Sequence, residues 1–199
     1  MSMLSAQTIR MLSTTVVPEE RNLIRPFSEQ KQALGMSYGL SACGYDIRLG
    51  KIGTQGEQSK LVKPGDFLLA SSLERFVLPD WLSAELKDKS TLARRGLALQ
   101  NTILEPGWEG FLTIEISNHG IERVLLKVGQ PIGQLVFHTL DKPTEQPYQG
   151  KYQNQEDRPV GAITSVTGRV NPPSEPNIQN LPGSLADTID KLQERGYLR

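Results

Sequence analysis

The chain is expected to fold as a mainly β domain, a compact all-β core with short helices at its flanks. Three observations predict this. Apolar and polar residues alternate over residues 39–49 and 111–117, the period-two mark of a strand with one buried face. The 18 glycines and 13 prolines fall largely between such runs, ending them in turns. Helical spacing is confined to two short stretches near the termini.

Length and charge bound the rest. With 199 residues the chain matches about one domain, since domains run to roughly 100–200 residues. The 22 basic residues balance 22 acidic ones, so no overall field draws the protein to nucleic acid or an anionic membrane. Any phosphate site must be local. No continuous apolar run reaches the ~18 residues of a membrane span, and the amino terminus lacks the pattern of a cleaved leader. A soluble, cytoplasmic protein is expected. The single cysteine, Cys43, cannot form an internal disulfide or a zinc thiolate cluster, and it reads as a small buried apolar residue.

In chain order, residues 5–12 predict a short helix carrying Ile9, Met11 and Leu12, with Ser5 or Thr8 as cap. Residues 18–35 hold no long pattern. Residues 39–49 read as a strand with Tyr45, Ile47 and Leu49 on one face and Asp46 and Arg48 on the other. Residues 50–65 are rich in turn formers, and 66–70, 73–77 and 82–86 read as three strands. Residues 124–128 and 132–140 predict a hairpin joined at Gly129-Gln130-Pro131. Residues 141–167 are polar and punctuated by Pro and Gly, an arm of the kind that closes over a site. Residues 172–182 are linker-like, and 184–195 predict a helix with Leu185, Ile189 and Leu192 on one stripe. The expected organisation is a β domain over residues 1–167, arm included, then a linker and short helix over 168–199.

The chemistry concentrates in the middle. Over residues 111–117, Leu112, Ile114 and Ile116 share one face, while Thr113, Glu115 and Ser117 share the other. Glu115 is therefore either a solvated strand residue or a carboxylate whose apolar setting raises its proton affinity toward general acid/base work. Residues 90–94 form a helical turn stopped by Gly96, with Ser90 and Arg94 four apart on one side. That turn is either an ordinary N-cap at Ser90 or a receiver of phosphate oxygens. Residues 105–110 form a tight turn that sets Trp108 beside the strand of Glu115, as pocket wall or core cap.

Four stretches taken together resemble the dCTP deaminases of the trimeric dUTPase-like superfamily, over about residues 37–155. They are Gly44-Tyr-Asp-Ile-Arg-Leu49, then Lys89-Ser-Thr-Leu-Ala-Arg-Arg-Gly-Leu97, then Glu105-Pro-Gly-Trp-Glu-Gly110 running into Leu112-Thr-Ile-Glu-Ile116, and Tyr148-Gln-Gly-Lys-Tyr-Gln-Asn-Gln155. The resemblance implies a dUTPase-type fold, a distorted β-barrel or jelly-roll-like one, and hydrolytic deamination of dCTP to dUTP and ammonia, feeding thymidine nucleotide synthesis. It implies Glu115 as proton shuttle with Ser90 and Arg94 as catalytic partners. Lys89, Ser90 and Thr91 would lie along the triphosphate, joined by Tyr148, Lys151 and Gln155 from the arm. Magnesium would ride on the phosphates, with few or no protein ligands. Trp108 and the turn holding Glu105 would crowd the sugar, and the base would be read near Asn101 and Thr113. A homotrimer with sites between subunits is implied as well.

The zinc route to deamination needs an H-x-E and a P-C-x-x-C motif. With one cysteine and only His119 and His138, that motif is absent. Glu105 stands where the resembled family usually has aspartate, and residues 100–104 form a shorter segment than usual. Bifunctional relatives use the aspartate to position a hydrolytic water, so deamination alone is expected.

Overall fold

The computed structural model describes residues 2–15, 18–53, 55–100 and 102–164. The chain divides into two compact units, Met1–Ala162 and Ile163–Arg199. Asn101, the linker at 172–182 and the helix at 184–195 lie outside the described residues.

Among its described residues the first unit holds helix α1 (Ala6–Thr14), a 3-10 turn (Glu19–Arg21), a short helical turn α2 (Ser90–Ala93) and twelve strands. The strands are β1 (Ile24–Arg25), β2 (Lys31–Ala33), β3 (Met36–Ser41), β4 (Gly44–Ile52), β5 (Ser59–Val62) and β6 (Phe67–Val77). They continue with β7 (Leu82–Asp88), β8 (Leu97–Leu99), β9 (Ile103–Leu104), β10 (Glu109–Asn118), β11 (Val124–Lys127) and β12 (Pro131–Thr139). Ten strands form one sheet along the path β8-β10-β6-β4-β12-β7-β9, with β1 on β6 and β2 joined through β3 to β4. Strands β5 and β11 form a separate pair. The fold is mainly β, as the patterning led one to expect, and the large sheet curls into a half-barrel, in keeping with the barrel-like fold that the resemblance implies. Among the described residues no helix is long and apolar enough to cross a membrane.

The inner face follows the alternation. Tyr45, Ile47 and Leu49 on β4, Phe76 on β6, Leu82 and Leu86 on β7, Ile114 and Ile116 on β10 and Phe137 on β12 are all fully buried. Full burial of one such aliphatic side chain stabilises by about 1.5–3 kcal/mol. The opposite face of β4 is not solvent-facing but carries two ion pairs. Asp46 Oδ2 lies 2.8 Å from Lys89 Nζ, and Arg48 Nε lies 2.7 Å from Glu74 Oε1. Burial pushes the Glu74 carboxyl up, and the adjoining Arg48 backbone N–H and guanidinium pull it back down.

Several expectations are corrected. Residues 66–70 and 73–77 belong to one strand, β6, because buried Ser71 and Ser72 carry it through its irregularities with their hydroxyls. The Lys51 N–H donates to Ser71 Oγ at 2.9 Å, and the Leu112 N–H donates to Ser72 Oγ at 2.8 Å. The turn-rich stretch 50–65 also contains the end of β4 and all of β5. Strands β11 and β12 do not pair with each other. The turn between them bonds to β4 instead, with Leu49 N–H donating to Gln130 O and Gly129 N–H donating to Leu49 O, both at 2.8 Å. Strand β11 then pairs with β5, and β12 lies between β4 and β7. Met11 is exposed although Ile9 is buried, since residues two apart lie on opposite sides of a helix. Cys43 is exposed, in the turn between β3 and β4, and not buried as its type suggests.

Candidate active site

Strand β10 brings Glu115 and Thr113 to one face and buries Ile114 and Ile116 on the other. The first face opens on a pocket of about 470 Å³ lined by Glu115, Thr113, Trp108, Glu105, Tyr148 and Gln155, with apolar walls that include Phe67 and Ile103. Glu115 is half-buried, and its Oε2 is buried with no hydrogen-bond partner among the described residues. Desolvation pushes its carboxyl up, against a smaller lowering by its own backbone N–H. A buried polar oxygen left without a partner costs about 1–3 kcal/mol, and such strain persists where a ligand completes the bonding. The main chain of Glu115 is fixed by the edge strand, because Gln100 N–H donates to Glu115 O at 3.0 Å.

The arm folds back on the start of β10. Trp108 is buried, and its indole N–H donates to Tyr152 O at 2.7 Å. Thr113 Oγ1 donates to Gln155 Oε1 at 2.8 Å and accepts the Val160 N–H at 3.0 Å. The Thr113 hydroxyl is thus already engaged by the arm. Two glycines permit this approach. A Cβ on Gly107 would sit 2.6 Å from Pro147 Cβ, and one on Gly110 would sit 2.6 Å from Gln155 N. Both also adopt positive φ, 83° and 143°, which disfavours any side chain. Tyr148 packs on the core, and Lys151 lies 5.1 Å above the Tyr152 ring.

The helical-turn residues lie elsewhere. Lys89 is the N-cap of α2 and Ser90 its first helical residue, so Ser90 is not the cap. Lys89 Nζ is held by Asp46 Oδ2 at 2.8 Å and Ser37 Oγ at 3.2 Å. Ser90, Thr91 and Arg94 are exposed and do not line the Glu115 pocket. Thr91 instead borders a smaller hollow with Arg95 and Lys127. Within one chain, then, the expected residues separate: Glu105, Trp108, Thr113, Glu115, Tyr148 and Gln155 line the pocket, whereas Lys89, Ser90, Thr91 and Arg94 of the helical turn, and Lys151 of the arm, do not. Among the described residues no three His, Cys, Asp or Glu side chains gather as metal ligands.

A protein-family profile described as dCTP deaminase-like matches residues 51–140. The curated dCTP deaminase of Pyrococcus horikoshii is 36% identical over 139 residues, covering 66% of this chain and 84% of that protein. The chain belongs to the dCTP deaminase family. The dCTP deaminase of Campylobacter concisus is also 36% identical, over 163 residues, covering 69% of this chain and 88% of its own. Among solved structures, the 2′-deoxycytidine 5′-triphosphate deaminase from Agrobacterium tumefaciens superposes with a TM-score of 0.53 at 18% identity. That superposition covers 69% of this chain and 47% of the Agrobacterium chain, and it shows a shared fold. In this family member the profile spans β10 and α2, whereas the arm lies beyond its end.

Proposed function

We propose that the protein is a hydrolytic dCTP deaminase that converts dCTP and water to dUTP and ammonia, with Glu115 as the proton shuttle. The observation that carries this reading is the unpartnered Glu115 Oε2 in the pocket wall, on a carboxyl whose proton affinity burial has raised. Attack at C4 of cytosine forms a C–O bond and later breaks the C–N bond to the amino group. The water must lose a proton, N3 must gain one, and the departing nitrogen must leave as ammonia. One carboxylate with a raised pKa takes the proton from water and returns it to nitrogen. Trp108 and the turn around it wall the sugar side. Magnesium enters on the triphosphate.

The exposed Ser90, Thr91 and Arg94 support a site completed between subunits of a homotrimer. In that arrangement the helical turn of one subunit meets the Glu115 pocket of its neighbour. Incubation with dCTP, dCMP, deoxycytidine and dUTP in magnesium, with products separated by chromatography, tests the reading. Ammonia and dUTP from dCTP are expected, and intact dCTP after prolonged incubation would overturn it.

A further inference from the structure

One arm residue outside the roles assigned above bonds to the walls of the site through both ends of its side chain. The side-chain carboxamide of Gln153 accepts the Glu109 N–H at 2.9 Å and donates to Gly107 O at 2.8 Å and to Tyr148 O at 3.2 Å. It thereby ties both sides of Trp108 to the start of the arm. The oxygen faces an N–H and the nitrogen faces two carbonyls, so its orientation has one consistent solution. Directly after it, Asn154 N–H donates to Glu109 O at 2.9 Å and Phe111 N–H donates to Gln155 O at 3.0 Å. These bonds lay residues 154–155 parallel to the first residues of β10, around the Gly110–Gln155 bridge. A slip of one residue in that short ladder would turn Gln155 away from Thr113.

We infer that Gln153 is a positioning residue of this site: its carboxamide sets the register in which the arm lies along β10 and so delivers Gln155 to Thr113 in the Glu115 pocket. This rests on the deaminase reading only for its kinetic consequence. Gln153→Glu in the full chain keeps the shape and the acceptor for Glu109 N–H, removes both donors, and sets a carboxylate against two carbonyls. Amide exchange is expected to quicken over residues 152–160 and to stay unchanged in β4 and β6. The KM for dCTP is expected to rise about tenfold or more, with kcat at saturation within about twofold of the parent. The KM ratio to the parent should narrow as the pH is lowered, because protonating the introduced carboxyl returns one donor. Unchanged arm exchange together with unchanged KM overturns the inference, as does protection lost equally from β4 and β6. Exchange needs no turnover. If the parent fails to deaminate dCTP, the proposed activity falls while the exchange comparison still decides the role of Gln153.

Discussion

A single side chain carries two opposed demands. In the proposed reaction Glu115 serves because burial raises its proton affinity, and the same burial makes its ionised form a burden on the fold. Between the ordinary carboxylate range and the raised value, the folded protein binds more protons than the unfolded chain. Stability therefore falls as pH rises through that window. Glu115→Gln is expected to raise the melting temperature at neutral pH. The gain should be on the order of 1 kcal/mol or less because the group is half-exposed, and it should vanish once the pH drops below the ordinary carboxylate range. The same variant should lose on the order of 10²-fold or more in rate while still binding dCTP. Titration of kcat/KM in the parent should show an acid limb with an apparent pKa above that of a free glutamate. Turnover near the parent level in Glu115→Gln would remove Glu115 from the mechanism.

At the scale of elements, Ser72 decides whether β6 is one strand or two. Its hydroxyl accepts from Leu112 N–H at 2.8 Å and donates to Glu74 O at 2.6 Å, where three residues of β6, 72–74, stand against Leu112 alone on β10. Ser72→Ala leaves a buried N–H and carbonyl without that partner, and it is expected to lower unfolding free energy by about 2–3 kcal/mol in denaturant titration. An unchanged midpoint would mean the strands re-register freely. The two serines also explain an error of reading: in sequence they look like a polar break between apolar runs, and only the neighbouring strands show that they substitute for ladder bonds. Glu115 was legible because period-two alternation fixes which face a strand residue occupies. The β11–β12 hairpin was misread because Gly129-Gln130-Pro131 has the chemistry of a hairpin turn, whereas its bonds go to Leu49 far upstream. The Gln153 clasp was illegible for the same reason, as its bonds to Gly107 and Glu109 span 46 and 44 residues and leave no periodic trace.

For the whole molecule, the separation of the two groups of site residues is the property with most consequence. Lys89 is anchored to Asp46 on the far face of β4 and to Ser37 on β3, which leaves the exposed Ser90 and Arg94 on a rigid mount. A mount of this kind suits delivery of the turn to a neighbour's pocket, and subunit mixing tests it. Ser90→Ala and Glu115→Gln chains, each strongly impaired alone, should regain activity when unfolded together and refolded as mixed assemblies of the proposed trimer. If each site takes its turn from one subunit and its carboxylate from another, random equal mixing leaves about a quarter of the sites with both intact residues. Recovery near that fraction in the ammonia assay supports the shared site. If turn and carboxylate instead served within one chain, every site in the mixture would lack one of them, and the refolded sample would stay as impaired as its parents.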